Sequence, residues 1–149
     1  MPSPPQIIEL GQIAIRFLLD GDETNGSVSM FEFLVAAGAK VPVPHYHEAF
    51  DEAMYGIEGE LTLTVDGKVE RLGPGDRRFI PRGAIHHFIN GGPRRTRTLA
   101  VVTPALLGPT YFTDIAALLS DGGPPDPARV VKVMRRHGLV AVPPTAPGT

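Results

Sequence analysis

GAKVPVPHYHEAFDEAMYGIEG occupies residues 38–59 of this chain, and GDRRFIPRGAIHHFIN occupies residues 75–90. The first stretch places His45 and His47 two residues apart. On a β-strand, residues i and i+2 point to the same face, so both imidazoles can reach one metal ion. This spacing predicts a strand that carries a metal-binding pair.

A carboxylate and a further histidine follow this pair along the chain. Glu48, Asp51 and Glu52 all lie within five residues of it, and each could supply the negative charge that neutral imidazoles lack. In the second stretch His86 and His87 are adjacent, and only one of two neighbouring strand residues can face the interior. The residues by themselves leave both choices open.

The two stretches together resemble the two-motif signature of the cupin family. The first motif requires a glycine, His-x-His, a glutamate and a second glycine, and its positions are filled by Gly38, His45, His47, Glu52 and Gly59. One extra residue stands between Gly38 and His45. The second motif is matched without departure by Gly75, Pro81, Gly83, His86 and Asn90. Both motifs in order, at this spacing, are specific to the family.

The resemblance implies a site for one divalent metal ion. It favours Glu52 over its acidic neighbours and His86 over His87, so the implied ligands are His45, His47, Glu52 and His86. Three imidazoles and one carboxylate suit Fe, Mn, Ni, Co or Zn. Four protein ligands leave coordination positions open, as a catalytic metal requires. In some cupins this glutamate also serves as a general base, so Glu52 is the candidate catalytic residue.

The walls of the expected site follow from the alternation of strand residues. Met54 shares a face with Glu52 and is a predicted pocket residue. Phe79, Ile85 and Phe88 are predicted to wall the site and to keep it dry. The same alternation directs Tyr46 and His87 away from the site.

The rest of the chain predicts an all-β fold with two short helices. Turn residues are frequent, with 17 glycines and 16 prolines among 149 residues, as is typical of many short strands. The clearest hairpin spans residues 60–72, where Asp66-Gly67 is a favoured two-residue turn. Apolar residues then adopt a helical period, which predicts helices over 111–120 and 126–138.

The resemblance implies the cupin double-stranded β-helix, also called a jelly-roll barrel. We expect a single cupin domain over residues 1–149. Its barrel spans about residues 6–104, and a helical C-terminal extension spans about 109–138.

Composition bears on partners and location. Lys and Arg number 14 against 16 Asp and Glu, which argues against nucleic-acid binding. No apolar run approaches the ~20 residues that a membrane span needs, and the chain has no cysteine. We therefore expect a cytoplasmic protein with a small-molecule substrate. The N-terminal strands over residues 6–19 would leave an open sheet edge, and the resemblance implies that a homodimer covers it.

Three functions fit the resemblance. The first is a dioxygenase-like reaction on an enol or aromatic metabolite, as in quercetinase-like cupins. The second is non-redox metal chemistry by an isomerase, cyclase or lyase, and the third is small-molecule binding without catalysis. A sensor is usually fused to a DNA-binding helix pair, and no such pair is evident in this sequence, which favours an enzyme.

Overall fold

Two antiparallel β-sheets form a jelly-roll barrel in the computed structural model, which describes residues 4–39, 43–120 and 123–142. The strands are β1 (Gln6–Leu10), β2 (Ile13–Leu19), β3 (Ser29–Val35), β4 (His45–His47), β5 (Asp51–Glu58), β6 (Leu61–Val65), β7 (Lys68–Leu72), β8 (Arg77–Ile80), β9 (His86–Ile89), β10 (Thr96–Thr103) and β11 (Leu139–Ala141). One sheet has the order β1-β2-β3-β10-β5-β8, and the other has the order β11-β4-β9-β6-β7. The predicted all-β class is confirmed.

The hairpin formed by β6 and β7 confirms the predicted turn. Asp66 and Gly67 both have positive φ, at 47° and 80°, as a type I′ turn requires. Two hydrogen bonds tie this turn to Ile85: the Asp66 amide donates to the Ile85 carbonyl at 2.7 Å, and the Ile85 amide donates to Asp66 Oδ1 at 2.8 Å. The turn therefore fixes the segment that leads into β9.

Two helices, α1 (Pro109–Leu119) and α2 (Pro127–Arg136), follow the barrel close to their predicted positions. The Asp126 side chain caps α2 by accepting a hydrogen bond from the Ala128 amide at 3.0 Å. Gly138 ends the helix with φ of 83°, a conformation that favours glycine. Neither helix is long and apolar enough to cross a membrane, within the part of the chain that the structure describes.

The chain returns from α2 into the barrel as β11, which pairs with β4. Leu139 lies opposite His47, and Ala141 lies opposite His45. On its other side, β4 forms a single ladder pair with β9, between His45 and His86. The strand that carries the His-x-His pair is therefore held mainly by the C-terminal segment.

Asn90 is a buried polar residue that joins three segments of backbone just after β9. Its Nδ2 donates to the carbonyls of Val35, Ala36 and Arg94 at 3.0, 3.2 and 2.7 Å. Its Oδ1 accepts from the Gly92 amide at 3.1 Å. The sequence predicts that this residue bonds nearby backbone; the structure confirms it and adds the long-range bonds to the end of β3.

Gly56 lies where two stretches of backbone cross at close range. A Cβ at this position would overlap the carbonyl group of Gly73. The Gly56 amide donates to the Asp76 carbonyl at 2.9 Å, and the Gly75 amide donates to the Gly56 carbonyl at 2.9 Å. The middle of β5 is thereby joined to the turn that precedes β8.

Candidate metal centre

Three histidine side chains meet inside the barrel. One ring nitrogen from each of His45, His47 and His86 lies within 4.8 Å of the other two, and no further residue in the described ranges joins this group. Strand β4 contributes two of the rings because its alternate residues share a face. The ladder pair between His45 and His86 brings the third ring beside them. The structure thus unites the two sequence stretches at one point.

Backbone carbonyls orient two of these rings. His45 Nδ1 lies 2.8 Å from the Val43 carbonyl oxygen, and His86 Nδ1 lies 2.9 Å from the Ala84 carbonyl oxygen. A carbonyl can only accept a hydrogen bond, so Nδ1 carries the proton in both rings. Each Nε2 is then left with a free lone pair, which is the arrangement of a metal-binding histidine.

Burial keeps all three imidazoles in the neutral form. Burial, together with the neighbouring His86, lowers the pKa of His45 to about 4 and that of His47 to about 2. The pKa of His86 is also lowered, again chiefly by burial. Metal ligation requires neutral imidazole, so the rings are in the ligating form at neutral pH.

Glu52 lies on the inner face of β5, where it is only 4% exposed. Burial raises the pKa of its carboxyl group to about 7. Its oxygens do not fall within 4.8 Å of all three histidine nitrogens, so the structure leaves this carboxylate outside the histidine cluster. Glu52 is therefore close to its ionisation midpoint at neutral pH, and a nearby cation would favour the ionised form.

The two other carboxylates near the His-x-His pair bond to arginines. Asp51 accepts from the Arg82 amide at 2.8 Å and from the Arg82 guanidinium at 3.2 Å, and these hydrogen bonds lower the pKa of Asp51. Glu48 forms an ion pair with Arg135 at 3.4 Å. The Asp51–Arg82 contact links the start of β5 to the turn before β9, so it joins two segments that carry candidate ligands.

The donor set of the site fits a divalent transition metal. Three neutral imidazoles converge in one sheet, and the buried carboxyl group of Glu52 lies on β5 of the other sheet. His47 Nδ1 is buried without a hydrogen-bond partner among the described residues, so no hydrogen bond fixes the tautomer of this ring and either of its nitrogens can serve as a donor to a metal. Borderline nitrogen and oxygen donors of this kind suit Fe, Mn, Co, Ni and Zn.

Two residues of the predicted wall need correction. Met54 and Phe88 are buried in one apolar cluster, but Phe79 is 63% exposed and lies on the outer face of the sheet. The register explains this, because Phe79 pairs with the exposed Ala53 while Ile80 pairs with Glu52 and takes the inner place. Ile85, also predicted as a wall, is exposed as well.

One residue that contacts the site has no counterpart among the predictions. The Phe50 ring stacks on the His47 ring with centroids 4.3 Å apart and an interplanar angle of 21°. Phe50 is fully buried in the core cluster that also contains Met134 and Leu139. The sequence feature that could have indicated this contact is an aromatic residue inside the polar stretch HEAFDE, which runs from the end of β4 into β5.

Comparison with known families bears directly on this arrangement. A family model described as a cupin domain matches residues 31–102, which include every residue of the histidine cluster. The chain belongs to the cupin superfamily. The match ends before α1, so α1, α2 and β11 of this cupin lie beyond it.

Relatives of this cupin have diverse names. It is 34% identical over 71 residues to quercetin 2,3-dioxygenase from Bacillus subtilis, covering 48% of this chain and 21% of the relative. It is 33% identical over 89 residues to tetracenomycin polyketide synthase protein TcmJ from Streptomyces glaucescens, covering 60% of each. The alignments thus span less than two thirds of either relative.

A solved structure supports the same fold. The crystal structure of a cupin-superfamily sugar phosphate isomerase from Silicibacter pomeroyi superimposes with a TM-score of 0.55. The two chains are 28% identical, and the match covers 62% of this chain and 59% of the other. The barrel of this cupin is thus shared with proteins of differing names.

Proposed function

We propose that this cupin is a metal-dependent enzyme that acts on a small molecule, with His45, His47, Glu52 and His86 as the ligands of one divalent ion. The observation that carries the proposal is the convergence of three buried, neutral imidazoles, two of them with Nε2 free to bind. Three buried imidazoles that converge in this way are the arrangement of a histidine-ligated metal site. A divalent metal supplies open coordination positions and Lewis acidity to an oxygen-bearing substrate.

The reaction that we propose is dioxygenase-like, on an enol or aromatic metabolite. Its support is the 34% identity to quercetin 2,3-dioxygenase of Bacillus subtilis over 71 residues. Glu52 would accept the proton of the substrate hydroxyl, since it is a carboxylate on the inner face of the barrel and a nearby cation keeps it in the ionised form that acts as a base. Met54 and Phe88 would exclude water on the inner side.

A second candidate is non-redox isomerase, cyclase or lyase chemistry at the same residues. The observation in its favour is the 28% identity to the Silicibacter pomeroyi protein, which is named a sugar phosphate isomerase. The same proton transfer by Glu52 would serve it, because isomerisation next to a carbonyl begins with removal of a proton. A binding cupin without catalysis is the third alternative that the sequence leaves open.

Oxygen consumption separates the first two candidates. With flavonol or other enol compounds, we expect the metal-loaded protein to consume about one O₂ for each substrate lost, measured with an oxygen electrode. Protein stripped with a chelator, and a Glu52→Gln variant with the base removed, should each consume oxygen at least about 100-fold more slowly. Substrate turnover without oxygen uptake would contradict the dioxygenase and favour the second candidate.

Assembly and location stay predictions. Exposed Ile7, Tyr55 and Phe79 share the outer face of the six-stranded sheet, and β1 is an open edge of that sheet. An open edge strand is typical of a surface that a further strand covers, which supports the proposed homodimer. Light scattering should give twice the mass of the chain, and a monomer would contradict this. The cytoplasmic location, the one-domain organisation and the absence of a nucleic-acid partner also stay predictions.

A further inference from the structure

His47 differs from the other two histidines in how its ring is held. The rings of His45 and His86 are each fixed by a hydrogen bond from Nδ1 to the carbonyl two residues earlier. His47 Nδ1 has no such partner among the described residues. Its ring instead lies against Phe50, with the two centroids 4.3 Å apart and the planes nearly parallel. Packing against Phe50 therefore orients the His47 ring, whereas hydrogen bonds orient the rings of His45 and His86.

The ring of Phe50 is in turn held by the C-terminal segment. Phe50 is buried in one cluster with Met134 from α2 and Leu139 from β11. At Gly138 the backbone comes so close that a Cβ there would lie 3.5 Å from Phe50 Cε1. The orientation of Phe50 thus depends on residues beyond the part of the chain that matches the cupin model.

The same segment also fixes the backbone of His47. Strand β11 forms three ladder pairs with β4, whereas β9 forms one. The Glu48 amide donates to the Gly138 carbonyl at 3.0 Å, and the Val142 amide donates to the Pro44 carbonyl at 2.8 Å, so both ends of β4 are bonded to the C-terminal segment. The C-terminal segment formed by α2 and β11 therefore positions both the main chain and the ring of His47.

We propose that Phe50, backed by α2 and β11, is the positioning residue for His47 and so tunes how tightly this cupin binds its metal. The proposal rests on the proposed metal site. It assigns a role in metal affinity to the C-terminal extension, which the comparison with the family does not address. Phe50 itself carries no ligand atom and acts only through the ring that it supports.

The test compares two buried phenylalanines of the same cluster. Phe50→Leu removes the flat ring beneath His47, whereas Phe31→Leu removes an equally buried ring whose aromatic contacts, among the described residues, are with other phenylalanines. The Kd for Zn²⁺ is measured by competition with a chromogenic chelator, and the unfolding midpoint of each metal-free protein is measured alongside. We expect about 10–100-fold weaker Zn²⁺ binding for Phe50→Leu. Phe31→Leu should lower the unfolding midpoint similarly but leave the Kd within about threefold.

Each other outcome has a definite meaning. A Phe50→Leu variant that binds Zn²⁺ like the wild type, or a Phe31→Leu variant that is weakened as much, would overturn the positioning role while leaving the metal site intact. Failure of the wild type itself to bind Zn²⁺ would overturn the metal site, and the positioning role with it.

A second pair of variants covers the case in which Phe50→Leu does not fold. Leu139→Ala removes packing on β11, and Leu107→Ala removes an equally buried leucine of the same cluster outside β11. Only Leu139→Ala should weaken Zn²⁺ binding, by about 3–10-fold, which is the lower part of the range for outer residues of metal sites. Equal affinities for the two variants would overturn the role assigned to the C-terminal segment.

Discussion

The His86→Ala variant should lose its metal, whereas the His87→Ala variant should keep it. His86 points inward to the cluster and His87 points the opposite way from the same strand, so the two changes have the same chemistry on opposite faces. Elemental analysis by mass spectrometry of natively purified wild type should give about one equivalent of a divalent transition metal. Loss of one of three converging imidazoles should cost at least about 100-fold in affinity, more than an outer residue does, and reduce the content below about one tenth.

The identity of the metal would then direct the functional work. Iron lost in His86→Ala would favour the dioxygenase, while zinc, nickel or manganese would shift weight to the non-redox candidate. Equal metal content in the two variants would contradict the histidine cluster as the binding site. A wild type without metal even after reconstitution would contradict the whole ligand set and leave a barrel that binds an unknown molecule.

The Asn90→Ala variant should be about 3 kcal/mol less stable than the wild type, at about 1 kcal/mol for each of the two amide hydrogens, which three carbonyls share, and for the Oδ1 acceptor. Urea unfolding followed by circular dichroism measures this difference. The matched control is Gln12→Ala, which removes an amide from an exposed position and should change stability by less than about 0.5 kcal/mol. A loss below about 1 kcal/mol for Asn90→Ala would show that the carbonyls find other donors.

The Asn90→Asp variant tests the same hydrogen bonds more sharply. Aspartate has the shape of asparagine, but an acceptor oxygen replaces the NH2 donor. It would place a carboxylate against three carbonyl oxygens, so the pKa of the new acid should be higher in the folded protein than in the unfolded chain. A raised pKa in the folded state means that stability increases as the pH falls. Asn90→Asp should therefore be less stable than Asn90→Ala at pH 7 and approach it below about pH 4, near the ordinary pKa of aspartate.

Much of the fold was predictable because it depends on local signals. A particular backbone conformation is required at the Asp66-Gly67 turn, the Asp126 cap and the Gly138 helix terminus. The residue types at these positions indicate that conformation. The pairing of β11 with β4 was not predictable. It joins residues far apart in the sequence, and LVA is too short to specify a partner.

The site divides in the same way. The spacing of His45 and His47 predicts a shared face, and the family motif distinguishes His86 from His87, as the observed burial pattern of β9 bears out. The error at Phe79 arose because four-residue β8 has apolar residues at two successive positions, so its pattern does not say which one faces inward. The Glu52 role stays a prediction, since this carboxylate lies outside the histidine cluster.

The close contact between Gly56 and Gly73 also limits which substitutions position 56 can accept. Its partner surface is main chain, so no compensating change of a neighbouring side chain can make room for even one methyl group. Most core residues can be substituted together as long as their total volume is kept. A larger residue at position 56 cannot be accommodated in this way. We therefore expect glycine to be retained at residue 56 even in relatives that have lost the metal ligands.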